Sequence, residues 1–306
     1  MTTPVVSVIV VSYQTRELVL RCLAALRPGV PAEVIVVDNG SSDGSADAIK
    51  AAFPQVTLVR LNQNIGWGRA VNAAAGHACG DYLLLLNPDA VGVGDVVSEL
   101  AGFAAAYPEN KLYTGRTLRA DGGDDWLSCF ALPSLWGYAC FALGLSSVFR
   151  HSRLFNPESL PWYDRRTVRE VPAASGCLLL VERAAFETLG GFDPRYFLYS
   201  EDTDLCARAA AYGWRPLLDP DAAVIHVGGA SQRRAGKRIR VLRGKCTYVR
   251  RHWLPWRRRA GLALLATGVL LRATLAPGWR EVWQARRTWL PGWPPVRSPH
   301  PVDARG

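Results

Sequence analysis

The chain has 306 residues, 49% hydrophobic and 20% charged, with 28 Gly and 20 Pro; it can bury a full core, and these proportions exclude collagen-like, low-complexity and disordered classes. Its net charge of +10 is concentrated at one end, since residues 1–230 hold 18 Lys and Arg against 24 Asp and Glu while residues 231–306 hold 18 against 2. A segment that basic calls for an anionic partner, either nucleic acid or the acidic surface of a membrane.

Val5 to Ser12 is a short, β-branched apolar run, the mark of a strand covered on both faces, and Arg16 to Ala25 follows with apolar residues at helical spacing. The pattern repeats: strand Glu33 to Asp38 and a helix near Ala46 to Phe53, strand Val56 to Leu61 and a helix near Gly66 to Ala78, then strand Asp81 to Leu86. Such alternation predicts a parallel, Rossmann-like α/β sheet with its ligand beyond the carboxyl ends of the strands. Polar residues collect at those ends: Ser12 and Tyr13, Asp38 and Asn39, Asn64, and Asn87-Pro88-Asp89.

The first turn, Ser12-Tyr13-Gln14-Thr15, is not GxGxxG, which argues against a nicotinamide or flavin enzyme, and there is no GxxxxGK[ST] loop. Phosphates would need another holder, and a metal ion is the obvious one.

Residues 126–170 form an aromatic, turn-rich insertion, either packed irregular chain or a lip facing membrane or acceptor. A strand (Ala173 to Val181), a short helix (Arg183 to Leu189), a helix opened by Ser200-Glu201-Asp202-Thr203-Asp204 and two short strands (Pro216 to Leu218, Ala222 to Val227) lead to His226 and the loop Gly228 to Ser231. Ser200 suits an N-cap, and Asp204 with Arg208 has the spacing of an ordinary helix pair. Seven scattered cysteines lack ligand spacing and read as reduced, mostly buried residues. With no leader pattern and no run of about 20 apolar residues, the chain is expected to stay in the cytoplasm.

Five strings stand in one order: Val8 to Gln14; Val36 to Ser45; Asn64-Ile65-Gly66-Trp67-Gly68-Arg69-Ala70-Val71-Asn72; Leu86-Asn87-Pro88-Asp89; and Ser175-Gly176-Cys177 with Gly190 to Leu205. Together they resemble glycosyltransferase family 2, in its rhamnosyltransferase-like branch, over residues 5 to 231. The resemblance implies a GT-A fold and inverting transfer of a sugar from a nucleoside diphosphate, most simply dTDP-L-rhamnose, to a hydroxyl of a lipid-linked or cell-envelope glycan. A UDP-sugar donor is the nearest alternative, and a catalytically silent membrane-bound scaffold the alternative of another class.

Each role has a chemical reason. Departure of a diphosphate needs its charge stabilised, and the attacking hydroxyl needs a base. By resemblance Asp89 and His226 hold Mg²⁺ or Mn²⁺, although His226 also reads as a plain strand-end histidine. Asn87 stands where the family often has a second Asp. Asp202, within the pair Glu201-Asp202, resembles the catalytic base. Asp38 resembles the aspartate that accepts the N3–H of uracil or thymine, or else shapes its turn. Arg69 faces base or phosphate, or is a surface arginine. Ser12, Tyr13, Asn39, Asn64 and Asn87 complete the nucleotide-sugar set.

From residue 232 on, arginines alternate with tryptophans around Ala260 to Leu271, twelve uncharged residues that are too few to cross a bilayer. Trp279, Val282, Trp283 and Leu290 recur on one helical face. This reads as a basic, helical tail lying on anionic lipid at the inner face of the cell membrane. No nucleic-acid module is recognisable, so nucleic acid is not expected as a partner.

Overall fold

A computed structural model describes residues 6–226 and 234–295. Strands β1 (Val6–Ser12), β2 (Ala32–Asp38), β3 (Thr57–Arg60) and β4 (Tyr82–Leu86) run parallel in the order β3-β2-β1-β4, connected by α1 (Arg16–Ala25), α2 (Ser45–Ala52) and α3 (Trp67–Ala75). Side chains of β1 alternate between two apolar layers: Val6, Val8 and Val10 face one cluster with Val19 of α1, Ile9 and Val11 another with Val71 of α3. Burial on both faces explains the unbroken apolar runs.

Beyond β4 the sheet becomes mixed. The chain continues through β5 (Ala90–Val93), α4 (Val96–Ala106), β6 (Leu112–Leu118), β7 (Cys129–Phe130), α5 (Leu135–Ala142), α6 (Leu145–Val148), β8 (Arg169–Glu170), β9 (Ala173–Ala174), β10 (Leu178–Glu182), α7 (Arg183–Thr188), α8 (Glu201–Ala210) and β11 (Leu217–His226). The order runs on as β4-β10-β6-β11-β5, with β10 antiparallel to β4 and β6, and β11 parallel to β6 but antiparallel to β5. The run Ala173 to Val181 is therefore two strands. It breaks where a Cβ on Gly176 would lie 2.5 Å from the Trp67 ring. The two strands expected around Ala222 are one, bulged between Leu218 and Ala223.

The tail is helical: α9 (Arg234–His252), α10 (Pro255–Leu275), α11 (Pro277–Gln284) and α12 (Arg286–Trp289). It shares a core with the rest of the chain, in which Tyr138 and Tyr196 meet Leu242, Val249, Leu265, Val269, Val282 and Trp289. The face carrying Trp279, Val282, Trp283 and Leu290, expected to meet lipid, turns inward instead: Val282 is fully buried and the other three pack against this core. The aromatic insertion is partly packed and partly open to solvent. Tyr138 and Tyr163 are buried, while Trp136, Leu143, Val148 and Phe149 are exposed. Among the described residues no helix is long and apolar enough to cross a membrane. All seven cysteines are free, and all except Cys79 are buried. The loop Gly228 to Ser231, the boundary at 231 and Arg233 lie outside the described residues.

Candidate active site

Register places the site. Ser12 and Asp38 are partners at the carboxyl end of β1 and β2, and both are buried. The Ser41 amide donates to Asp38 Oδ2 at 3.2 Å, whereas Oδ1 is buried with no hydrogen-bond partner. A buried carboxylate oxygen without a donor is costly and fits a ligand N–H. Tyr13 is exposed beside it. Gln14 donates from its amide to Ser41 Oγ at 3.1 Å, which ties the first loop to the second.

Asn39 and Asn64 spend their side-chain amides on each other and on the loop backbone. Asn39 donates to Asn64 Oδ1 at 3.2 Å and accepts from the Ile65 amide at 2.9 Å; Asn64 accepts from the Gly66 amide at 2.9 Å. They fix the loop before α3, where the Trp67 amide donates to Phe197 O at 3.0 Å. Gly66 sits at φ +94° with room for no side chain, because a Cβ would lie 2.4 Å from Phe197 O. Arg69 Nε donates to Pro194 O at 2.7 Å, and burial lowers the basicity of its guanidinium. Loops from the two halves of the chain are thereby joined.

Asn87 opens the turn after β4; its amide donates to Cys177 O at 3.1 Å. Asp89 Oδ2 lies 3.4 Å from His226 Nε2, and the other ring nitrogen, Nδ1, lies 3.6 Å from Asp125 Oδ2. Strand pairing of His226 with Ala90 delivers the ring there. Hydrogen bonds to Asp125 and then Asp89 raise the His226 pKa to about 9, against the opposing effect of burial. Asp125 is held by the Thr117 hydroxyl and the Leu127 amide. It is the one residue of this constellation that sequence reasoning missed. Its stretch, Asp121-Gly122-Gly123-Asp124-Asp125, reads as an acidic turn, and nothing local says which of three aspartates faces His226.

One carboxylate oxygen and one imidazole nitrogen 3.4 Å apart, aimed at each other with a second carboxylate behind the ring, suit a divalent cation that takes mixed N and O ligands. Another acidic group, Glu99, Asp219 and Asp221, brings its oxygens within 4.8 Å of one another. It belongs to α4 and the β11 bulge, near the other end of that strand from His226.

Glu201 and Asp202 open α8. Asp202 Oδ2 accepts from the Gly176 amide at 3.4 Å and Oδ1 from the Thr203 amide at 2.7 Å. Since Cys177 O takes the Asn87 amide, Asp202 bonds the residue next to the one that holds the turn carrying Asp89. Burial raises the pKa of Asp202, opposed by those amide bonds; burial, then the charge of Asp202, raises Glu201 to about 8. Before the helix, Tyr199 and Ser200 adopt φ of 69° and 70°, left-handed conformations unusual outside glycine. The Ser200 hydroxyl makes no capping bond, so the expected cap is absent. Asp204 is more than an ordinary helix partner. Fully buried, it binds Arg208 at 2.8 Å and His252 of α9 at 2.7 Å.

Residues 7–189 match the family model for glycosyl transferase family 2. Over 298 residues the chain is 32% identical to the N-acetylglucosaminyl-diphospho-decaprenol L-rhamnosyltransferase of Mycobacterium tuberculosis, covering 89% of this chain and 95% of that protein. Among solved structures, the mannosyltransferase PcManGT from Pyrobaculum calidifontis, in complex with GDP-Man and Mn²⁺, gives a TM-score of 0.56 at 20% identity, covering 94% of this chain and 83% of its own. TarS 1–349 of S. aureus in complex with UDP gives 0.53 at 16% identity, covering 86% and 70%. The fold is that of GT-A glycosyltransferases, and the chain belongs to glycosyl transferase family 2.

Proposed function

We propose that the protein transfers L-rhamnose, with inversion, from dTDP-L-rhamnose to a hydroxyl of N-acetylglucosamine carried on a polyprenyl diphosphate. The observation that carries this reading is the line of groups along one sheet edge: the orphaned Asp38 Oδ1, the Asp89–His226 pair, and Asp202 tied to Gly176. Similarity to the mycobacterial enzyme over nearly its whole length supports the sugar and the acceptor class.

Asp38 Oδ1 accepts the N3–H of thymine or uracil and repels the N3 lone pair of cytosine; it does not separate dTDP from UDP. Asp89 and His226, with Asn87 in the same turn as Asp89, would hold Mg²⁺ or Mn²⁺; the Mn²⁺ bound in PcManGT supports the latter. Bound there, the cation would supply positive charge to the leaving diphosphate. Asp202 takes the acceptor proton as the hydroxyl oxygen attacks the anomeric carbon and the bond to the diphosphate breaks on the opposite face. Its raised pKa makes it a stronger base than an exposed aspartate. Exposed arginines and the Leu143 to Phe149 edge support a position on the inner, anionic face of the cell membrane.

The test is binding of dTDP, UDP and CDP in Mn²⁺ by calorimetry, followed by radiolabelled transfer to polyprenyl-diphospho-N-acetylglucosamine. Transfer by the wild type that is lost in Asp202→Asn, with dTDP binding retained, supports the reading. Nucleotide binding without any transfer would make the chain a scaffold instead.

A further inference from the structure

A cleft of about 360 Å³ opens between α5, α9 and α11. Phe141, Val241, Leu242 and Trp279 make its walls apolar, and Lys237, Arg238 and Lys245 bring positive charge to it. Lys245 is matched by Glu158. Lys237 and Arg238 form no ion pair among the described residues; Arg238 stacks over the Trp279 ring at 4.4 Å and reaches Gly278 O at 3.4 Å. Two cations without a carboxylate of their own, at the mouth of an apolar cleft, complement an anionic head on an apolar chain.

The cleft also has an address relative to the chemistry. Gly244 of α9 touches the loop that precedes α8 so closely that a Cβ would lie 2.3 Å from Tyr199 O and 3.0 Å from Ser200 Oγ. Lys237 is two helical turns back on the same side of α9, roughly 10 Å along its axis.

We propose that this cleft binds the diphosphate and the first isoprenoid units of the acceptor, with Lys237 and Arg238 on the phosphates and Phe141, Val241 and Trp279 along the chain. The proposal rests on the lipid-diphosphate acceptor read above. An anionic phospholipid headgroup shares this chemistry, and the experiment separates the two sources.

Full-length protein is titrated with farnesyl diphosphate, inorganic pyrophosphate and phosphatidylglycerol vesicles. Farnesyl diphosphate is expected to bind more tightly than pyrophosphate. The double variant Lys237→Ala/Arg238→Ala weakens that binding by about tenfold or more, as does Val241→Trp, which fills the cleft without altering charge. Thermal melts check that each variant folds, and dTDP affinity stays within about twofold. With polyprenyl-diphospho-N-acetylglucosamine, the acceptor KM of the double variant rises by a similar factor. Unchanged farnesyl diphosphate binding in both variants, or binding to vesicles alone, overturns the assignment. If the wild type transfers sugar and the variants keep its acceptor KM, the cleft is wrong and the acceptor reading stands. If farnesyl diphosphate binding depends on Lys237 while the wild type transfers to no diphosphate-linked sugar, the cleft stands and the reaction must be read anew.

Discussion

The Gly176 amide points at Asp202 Oδ2 from 3.4 Å, and its neighbour Cys177 holds the turn that carries Asp89. The proposed base and the proposed cation ligand are thus fixed to one stretch of chain. Asp202→Asn keeps an acceptor for one of its two backbone amides, sets an NH2 against the other and removes the basicity, so transfer is expected to fall by roughly 10² to 10⁴ while dTDP affinity is unchanged. Glu201→Gln, at a buried group whose Oε2 has no partner, is expected to cost less than about tenfold. Single-turnover transfer measures both.

Metal-free protein should lose stability with rising pH. The His226 pKa is raised from 6.5 to about 9 by Asp125 and Asp89, so protonated His226 stabilises the fold fully below about pH 6.5, and that contribution disappears as pH passes 9. Melts in a chelator from pH 6 to 9.5 are expected to show this decline, and His226→Asn to lack it. Mn²⁺ affinity moves the opposite way, because the ion needs the neutral ring.

Asp125 positions the ring through Nδ1, leaving Nε2 toward Asp89. Asp125→Ala is expected to weaken Mn²⁺ binding by about 10- to 100-fold, with Asp125→Asn retaining most of it, since an amide oxygen still accepts from Nδ1–H. Titration followed by electron paramagnetic resonance of the free ion reads the affinity without any turnover.

Asp204 clamps Arg208 and His252 from a fully buried position. Asp204→Ala takes the buried carboxylate away from both Arg208 and His252 and is expected to destabilise the protein by about 3 kcal/mol, measured by urea unfolding.

Gly66→Ala tests the seam between the two halves. Its Cβ meets Phe197 O, and the loop before α8 must yield. A fall in kcat of about tenfold is expected, with a small change in dTDP affinity.

How much of this was legible in sequence depends on range. β1 to β4 and their polar ends could be read because burial on both faces leaves unbroken β-branched runs, and because Asp38 and Asp89 follow them directly. Short β5 and the antiparallel course of β10 left no periodic trace, since neighbours distant in sequence decide them. Asp125 faces a histidine that belongs to another strand, so only the assembled sheet reveals it. The face of Trp279, Val282, Trp283 and Leu290 misled for a related reason: tryptophans spaced for a helix face signal burial, but not whether lipid or protein does the burying, and Val282 and Trp289 are buried by protein.

The fit of Gly244 against Tyr199 has a practical consequence for anyone trimming this enzyme. Cutting the polypeptide ahead of α9 would strip the backing from the loop of Tyr199 and Ser200 and leave Tyr138 and Tyr196 facing solvent, so a shortened, better-behaved catalytic fragment is not to be had that way. The basic helices and α8 stand on one shared apolar foundation, so neither is expected to hold its shape without the other.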